Sequence, residues 1–142
     1  MSLKSQDLFN VSNKVVVVTG GSRGIGEMIT SGFLANKSKV YITARKEEAL
    51  VKKAEELSQK YSCECIPVSG DISNSEGIDA LVNFLNDAEP EGIDFLINNA
   101  GAAWGANYDD FPESGWDKVI DLNLKTPFFL TQKLTPLLEK KG

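Results

Sequence analysis

A run of four valines, Val15–Val18, leads directly into a glycine-rich segment that contains Gly20, Gly24 and Gly26. Four consecutive β-branched residues favour a short strand buried on both faces, as in the centre of a parallel sheet. Glycines after such a strand let the backbone turn tightly and approach a phosphate without a Cβ in the way. The N–H groups at the start of the next helix, predicted at about 25–34, would point at that phosphate. An ordinary turn is the alternative, but the strand before and the helix after favour a dinucleotide site.

The spacing of these glycines resembles the pattern of one family. Three residues separate Gly20 from Gly24 and one separates Gly24 from Gly26, a wider first gap than in the common G-x-G-x-x-G form. The string Thr-Gly-x-x-x-Gly-x-Gly is similar to that of the short-chain dehydrogenases/reductases, and the resemblance extends from about Asn13 to the end of the chain. It implies that the turn binds the cofactor through Gly20, Ser22, Arg23, Gly24, Ile25 and Gly26.

A second element closely resembles the Asn-Asn-Ala-Gly motif of the same family. It consists of Asn98, Asn99, Ala100 and Gly101, directly after the predicted strand Phe95–Ile97. The small residues would let the chain pass close to the nicotinamide ribose, and asparagine amides can connect neighbouring strands through hydrogen bonds. A plain turn is the alternative, and the position after a strand favours the family motif.

After the third predicted strand, Asp71 and Ile72 resemble the family's Asp-hydrophobic pair beside the adenine. The resemblance implies that Asp71 accepts a hydrogen bond from the adenine amino group while the Ile72 backbone lines the pocket. The alternative is a helix cap, because Asp71, Ser73 or Asn74 could each start the next helix.

The end of the second predicted strand indicates which dinucleotide is bound. NAD sites usually have an acid here that accepts from the ribose 2′-OH, but this chain has Ala44 and Arg45. Arg45 and Arg23 could instead form charge-assisted hydrogen bonds to a 2′-phosphate, although either alone could be a solvated surface residue. We therefore predict NADP(H) as the cofactor, with NAD less favoured.

Asn123 matches the catalytic asparagine of the family, whose backbone carbonyl, at a helix irregularity, holds a water that links the active-site lysine to solvent. The alternative is an amide on a helix surface. The resemblance also implies a substrate-orienting serine and a Tyr-x-x-x-Lys pair, but Tyr41, Tyr61 and Tyr108 are followed four residues later by Arg, Cys and Pro. We therefore expect the 142 residues to be inactive alone and to be the N-terminal part of a longer enzyme.

Strands and helices alternate along the chain. Strand-like runs at 15–18, 40–42, 65–68 and 95–97 are each followed by a helical pattern or helix-start signals. Right-handed crossovers then predict an α/β, Rossmann-like, doubly wound parallel sheet of order 3-2-1-4 with helices on both faces, a three-layer αβα sandwich. We expect residues 1–142 to form one NAD(P)-binding domain that lacks the C-terminal half of the fold.

The last segment, 113–140, is predicted to be one long helix interrupted or kinked by Pro127 and Pro136. Its many apolar residues predict coverage of the sheet and, by resemblance to the family, contact with a second subunit in a homo-oligomer.

Composition excludes several classes of function. A net charge of −5 with interspersed acids and bases disfavours nucleic acid as a partner. No apolar stretch approaches a membrane span, so we expect a cytoplasmic protein without membrane contact. The chain contains no histidine, which disfavours a metal site and leaves Cys63 and Cys65 as structural thiols on one face of a short strand.

The resemblance implies an oxidoreductase that transfers a hydride between the nicotinamide of NADP(H) and a small-molecule carbonyl or alcohol. Ala102, Ala103, Trp104 and Gly105 resemble the 3-oxoacyl-(acyl-carrier-protein) reductase branch. Two alternatives remain open: a non-catalytic half-fold that binds a dinucleotide, and a Rossmann-like methyltransferase, with which the lack of an acid at Ala44 conflicts.

Overall fold

The computed structural model describes residues 4–141 and contains a four-stranded parallel sheet. The strands are β1 (Val15–Thr19), β2 (Lys39–Ala44), β3 (Cys65–Ser69) and β4 (Phe95–Ile97). They lie in the order β3-β2-β1-β4, so the predicted Rossmann-like topology is confirmed. All four strands therefore end at one edge of the sheet, the edge at which such folds bind ligands.

The helices are α1 (Ser5–Leu8), α2 (Gly24–Ala35), α3 (Glu47–Tyr61), α4 (Ser75–Ala88), α5 (Glu113–Ile120) and α6 (Thr126–Leu138). A short 3₁₀ turn, Tyr108–Asp110, precedes α5, and a π-helical turn, Asp121–Lys125, joins α5 to α6. The predicted helix at 25–34 is thus one residue longer at each end.

The core lies on both faces of the sheet. Val16 and Val18 point to the face covered by α2 and α3, whereas Val17 points to the face covered by α4 and α6. All three valines are fully buried, because successive side chains of a strand alternate between two covered faces. Helices α3 and α4 each contribute an apolar face to the core, and its fully or nearly fully buried members include Leu50, Ala54, Leu57, Ile78, Leu81 and Leu85.

The two cysteines pack into the same hydrophobic cluster, as predicted, but only Cys65 belongs to the strand. Burial raises the pKa of the Cys65 thiol to about 12, so it stays protonated at neutral pH. Among residues 4–141, no group of three or more histidine, cysteine or acidic side chains is arranged to hold a metal ion. Within the same range no helix combines the length and apolar character that a membrane crossing requires.

The predicted interruption of the C-terminal helix is confirmed and lies one turn before Pro127. The N–H of Thr126 donates to the carbonyl of Asp121, five residues earlier, which widens the helix into a π turn. Pro127 has no N–H to offer the carbonyl of Asn123 four residues before it, so regular α-helical bonding fails at this place. The prediction of a second interruption at Pro136 is wrong, because Pro136 lies inside α6, which continues to Leu138.

A polar network holds the amino-terminal part of β2. The Tyr41 hydroxyl donates to Glu89 Oε1 at 2.6 Å, and Lys39 Nζ lies 2.8 Å from the same oxygen. Burial and the Glu89 carboxylate raise the pKa of Tyr41 to about 12. Because this folded-state pKa exceeds the ordinary value of about 10, the stability that the folded tyrosine environment gives is lost as pH rises through that interval.

We expect Glu89→Ala to lower the free energy of unfolding by about 1–3 kcal/mol, because a buried hydroxyl and a lysine lose their acceptor. Urea denaturation at pH 7 measures the change. Glu64→Ala is the matched control: Glu64 also pairs with Lys39, at 3.4 Å, but its side chain is 69% exposed, so its loss should cost at most about 1 kcal/mol. Equal losses for the two variants would contradict this role of Glu89.

Candidate functional site

The chain leaves β1 through a turn that only glycine adopts easily. Gly20 has φ +65° and Gly24 has φ +56°, both in the left-handed region. No other group lies within 4 Å of the position that a Cβ on Gly24 would occupy. The backbone at Gly24 therefore faces open space at the first residue of α2, where a ligand could approach the helix N-terminus.

Gly26 lets α2 pack directly against this turn. A Cβ at Gly26 would overlap the carbonyl oxygen of Gly20 and would lie 2.5 Å from Nδ2 of Asn99. Both neighbours are held in place, one as backbone and one by its hydrogen bonds. The third glycine of the string is thus required for close packing of the helix on the strand, as its position predicted.

Asn99 and Thr19 lock the turn to the end of β4. The Asn99 side-chain amide donates to the carbonyl oxygens of Thr19, at 2.9 Å, and Gly20, at 3.2 Å. The Thr19 hydroxyl accepts from the backbone N–H groups of Asn99 and Ala100, both at 3.0 Å. The two glycine-containing segments that the sequence identified separately are therefore one hydrogen-bonded unit at the carboxyl edge of the sheet.

A cleft of about 1040 Å³ opens above this unit. Eleven of the fourteen residues that the sequence singles out line it: Gly20, Ser22, Arg23, Ile25, Gly26, Arg45, Asp71, Ile72, Asn99, Ala100 and Gly101. Gly24, Asn98 and Asn123 are not part of the lining. The cleft thus collects residues that follow the ends of all four strands, in a volume typical of small-molecule sites.

Asn98 faces away from the cleft lining. Its side-chain amide donates to the Thr131 hydroxyl on α6 at 3.2 Å. Adjacent residues at a strand end point to opposite faces, so Asn99 reaches the glycine turn while Asn98 connects β4 to the helix behind it.

Asn123 lies in the π turn, and its side chain forms a two-way amide pair with the loop after β4. Its Oδ1 accepts from the N–H of Ala102 at 2.7 Å, and its Nδ2 donates to the carbonyl of Ala102 at 2.9 Å. The asparagine therefore fixes the loop that follows Gly101, a contact that the sequence did not predict. Asn123 is nonetheless exposed, so the alternative of a helix-surface amide remains open.

The only arginines in the sequence, Arg23 and Arg45, both line the cleft. Among the described residues, neither belongs to a salt bridge. Lys46, which directly follows Arg45, also lines the cleft. The sequence did not identify this lysine as a site residue. Cationic side chains without a carboxylate partner can serve an anionic ligand.

The helix cap that the sequence left open is formed by Asn74 and not by Asp71. Asn74 caps α4, because its Oδ1 accepts from the N–H of Gly77 at 2.9 Å. Asp71 Oδ1 instead accepts from the hydroxyl and the N–H of Ser73, at 2.7 and 3.1 Å. The Ser73 hydrogen bonds, and more weakly the Arg45 charge, lower the pKa of this carboxyl. Asp71 is therefore ionised at neutral pH and can accept a further hydrogen bond in the cleft.

Two hydroxyl groups that shape the site were missed from the sequence. Thr19 joins β1 to β4 as described, and the Thr43 hydroxyl accepts from the N–H of Gly20 at 3.3 Å. Both occupy strand ends, where threonine is also an ordinary strand residue. The only available signal was the Thr-Gly step that opens the glycine string.

Comparison with known proteins agrees with this geometry. The model of the short chain dehydrogenase family matches residues 14–142. The rhamnolipids biosynthesis 3-oxoacyl-(acyl-carrier-protein) reductase of Pseudomonas aeruginosa is 41% identical over 134 residues, which cover 94% of this chain and 51% of that protein. A 3alpha-hydroxysteroid dehydrogenase of Mediterraneibacter gnavus is 26% identical over 134 residues, 93% of this chain and 53% of that protein. The chain spans about half the length of these curated relatives.

Solved structures give the same picture. The complex of Pseudomonas aeruginosa RhlG with NADP superposes with a TM-score of 0.88 at 40% identity, over 94% of this chain and 51% of that one. L-sorbose reductase of Gluconobacter frateurii, complexed with NADPH and L-sorbose, superposes with a TM-score of 0.87 at 30% identity, over 92% and 49% of the two chains. Both neighbours carry an NADP-type dinucleotide.

We expect Gly26→Ala to destabilise the fold by more than about 2 kcal/mol, because the added methyl overlaps fixed backbone. Gly32→Ala is the matched control on α2, since a Cβ there would have no neighbour within 4 Å. That substitution should stabilise the chain by up to about 1 kcal/mol through helix propensity. Thermal unfolding of both variants measures the difference, and similar melting temperatures would refute the packing argument.

Proposed function

This chain belongs to the short chain dehydrogenase family, and we propose that its cleft binds NADP(H) for hydride transfer between the nicotinamide and a carbonyl or alcohol group. The observation that carries the proposal is the glycine turn, whose Cβ-free backbone and helix N-terminus border a cleft large enough for a dinucleotide. In this arrangement, backbone N–H groups near Ser22, Arg23 and Ile25 bind the diphosphate, assisted by the dipole of α2.

We assign the remaining candidate residues either to a part of the dinucleotide or to the support of the site. Asp71 accepts from the adenine amino group, and the Ile72 backbone borders the ring. Ala100 and Gly101 give the nicotinamide ribose room to lie close to the backbone. Asn99 acts by holding the turn, and Asn98 by joining β4 to α6 through Thr131.

NADP(H) is favoured over NAD by charge. Arg23 and Arg45 line the cleft, and the position that would carry an acid in an NAD site is Ala44. A 2′-phosphate would gain charge-assisted hydrogen bonds from the arginines, each worth about 1.5–3 kcal/mol. The NADP and NADPH complexes among the structural neighbours support the same cofactor.

Bound NADPH supplies the hydride, whereas the proton requires groups of the protein. Asn123 is our candidate for the proton pathway, because the π turn and Pro127 leave its carbonyl outside regular helical bonding. The serine and the Tyr-x-x-x-Lys pair expected of the family do not occur in these 142 residues. We therefore propose that residues 1–142 are the cofactor-binding half of a single Rossmann domain and that they do not reduce carbonyls by themselves.

The substrate class we propose is a 3-oxoacyl thioester or a related ketone. Support comes from the curated relative that is a 3-oxoacyl-(acyl-carrier-protein) reductase, at 41% identity. The competing proposal is a half-fold that binds the dinucleotide without catalysis. A methyltransferase is disfavoured by the family assignment and by the lack of an acid at Ala44.

We further propose a homo-oligomer in the cytoplasm, formed through α6 and the π turn. Leu124, Phe128 and Phe129 are 65%, 64% and 39% exposed, a large apolar surface for one helical segment.

We expect Leu124→Glu to shift the oligomer toward monomer in sedimentation velocity, because a charge would be buried without a partner. Lys52→Glu, on an exposed position of α3, is the control that should leave the assembly unchanged.

Titration with NADP and NAD tests the cofactor assignment. We expect Arg45→Ala to weaken NADP binding at least about tenfold, because it removes a charge-assisted contact to the 2′-phosphate, while NAD changes little. Arg45→Lys should retain part of the preference, and Lys52→Ala should retain all of it. Equal losses for NADP and NAD would remove the basis for the NADP assignment.

Turnover separates the enzyme from the non-catalytic alternative. The mass of the intact protein and its NADPH oxidation with 3-oxoacyl thioesters are measured on the same preparation. Oxidation by a protein that extends into a Tyr-x-x-x-Lys sequence supports the oxidoreductase, whereas dinucleotide binding without oxidation of NADPH by any carbonyl supports the binding module.

A further inference from the structure

Beside the cofactor cleft, the structure forms a second cavity of about 380 Å³ that no step of the proposed hydride transfer uses. Its walls are the loop Ala102–Trp104, Phe111 and one side of α5 with Trp116, Val119 and Ile120. Every lining side chain is apolar or aromatic, and the lining includes both tryptophans of the sequence. Contiguous apolar surface of this kind often marks a binding site. We call it the tryptophan cavity.

The tryptophan cavity is continuous with the cofactor cleft. Ala102 and Ala103 line both spaces. Lys118, which lies on α5 between the cavity residues Trp116 and Val119, lines the cleft instead. A molecule in the cleft next to Gly101 could therefore extend over the two alanines into the cavity without crossing a polar barrier.

Side-chain packing and an amide pair support the wall between the two spaces. A Cβ on Gly115 would lie 2.7 Å from Cδ1 and Nε1 of Trp104, so the indole rests directly on helix backbone. Lys118 Nζ lies 5.2 Å from the centroid of the same ring, within cation-π range. The amide pair of Asn123 with Ala102 holds the start of this loop. These contacts define the shape of the cavity with no ligand bound, which lowers the entropic cost of binding.

The lining selects the chemistry of the occupant. No polar side chain of the cavity offers a donor or acceptor except the indole N–H groups, so a sugar or a charged group would lose its hydrogen bonds to water. An unbranched apolar chain would instead cover Trp104 and Trp116, which are 43% and 61% exposed. At about 30 Å³ for each water-sized group, the space accepts on the order of a dozen such groups.

We infer that the tryptophan cavity binds the apolar chain of the carbonyl substrate, while the carbonyl itself lies in the cleft beside Gly101. This inference rests on the proposed function and narrows it to substrates with an extended aliphatic chain. Lys118 lines the cleft and has its Nζ 5.2 Å from the centroid of the Trp104 ring, so it is available to the polar part of the same molecule.

Binding is measured on the intact protein, with N-acetylcysteamine thioesters of 3-oxobutanoic, 3-oxohexanoic and 3-oxooctanoic acid as probes. Quenching of the emission of Trp104 and Trp116 reports occupancy, and calorimetry gives Kd. We expect each added methylene to tighten binding by up to about fourfold, the effect of burying one CH₂ group. A Kd that does not depend on chain length would overturn the inference.

Two substitutions test where the aliphatic chain of the probe lies. Val119→Phe fills the cavity and should abolish the chain-length dependence while the Kd of NADPH stays unchanged. Trp116→Ala, at a wall position that is 61% exposed, should weaken only the longer probes. Tyr108→Ala is the matched control, because Tyr108 is an exposed aromatic residue that lines neither space. Chain-length dependence that survives both cavity variants would place the chain elsewhere and refute the inference.

The two proposals fail in different ways. Turnover of all three thioesters with equal KM would overturn the tryptophan cavity as a substrate subsite and leave the oxidoreductase standing. Chain-length-dependent binding without NADPH oxidation would overturn the proposed function but support the cavity as a site for an apolar chain. If probe binding is absent and Trp116→Ala lowers the mass measured by sedimentation, the cavity is an interface between copies of this chain and the inference is wrong.

Discussion

The hydrogen bonds of Asn99 with Thr19 and Gly20 are the constraint on which the site depends. They hold the end of β4 against the turn after β1, and this contact leaves no volume for a side chain at Gly26. Partly buried hydrogen bonds therefore fix the backbone of the turn. Burial strengthens these hydrogen bonds and raises the free-energy cost of breaking them. The N-terminus of α2 receives its position and direction from the same contacts.

Charge is distributed unevenly over a chain with a net charge of −5. Both arginines line the cleft and form no salt bridge among the described residues, while most of the other cations pair with acids or lie on exposed helix surfaces. An acidic protein can thereby bind a polyanionic dinucleotide, because the local field of the cleft and not the net charge acts on the ligand. Asp71 also lines the cleft, and its hydrogen bonds from Ser73 lower the pKa of its carboxyl.

The helix irregularity holds Ala102, a residue that lines both the cleft and the tryptophan cavity. Pro127 disrupts regular bonding at Asn123, and the resulting π turn presents the Asn123 amide to Ala102. The loop after β4 is thus held by a helix defect at one end and by Trp104 on Gly115 at the other. Such defects in helices are frequent at functional sites, because they direct backbone and side-chain polar groups away from the helix ladder.

The sequence by itself determined the strands and their order, and its resemblance to a known family identified about half of the residues that line the cleft. The valine run, the glycine spacing and the apolar stripes are local patterns whose meaning follows from strand and helix periodicity. Tertiary structure alone decided that Asn98 turns to Thr131 while Asn99 turns to Thr19, that Asn74 and not Asp71 caps α4, and that Trp104 lies on Gly115. Those choices depend on which distant segment lies within hydrogen-bonding or van der Waals reach, and no periodic pattern in the sequence records that distance.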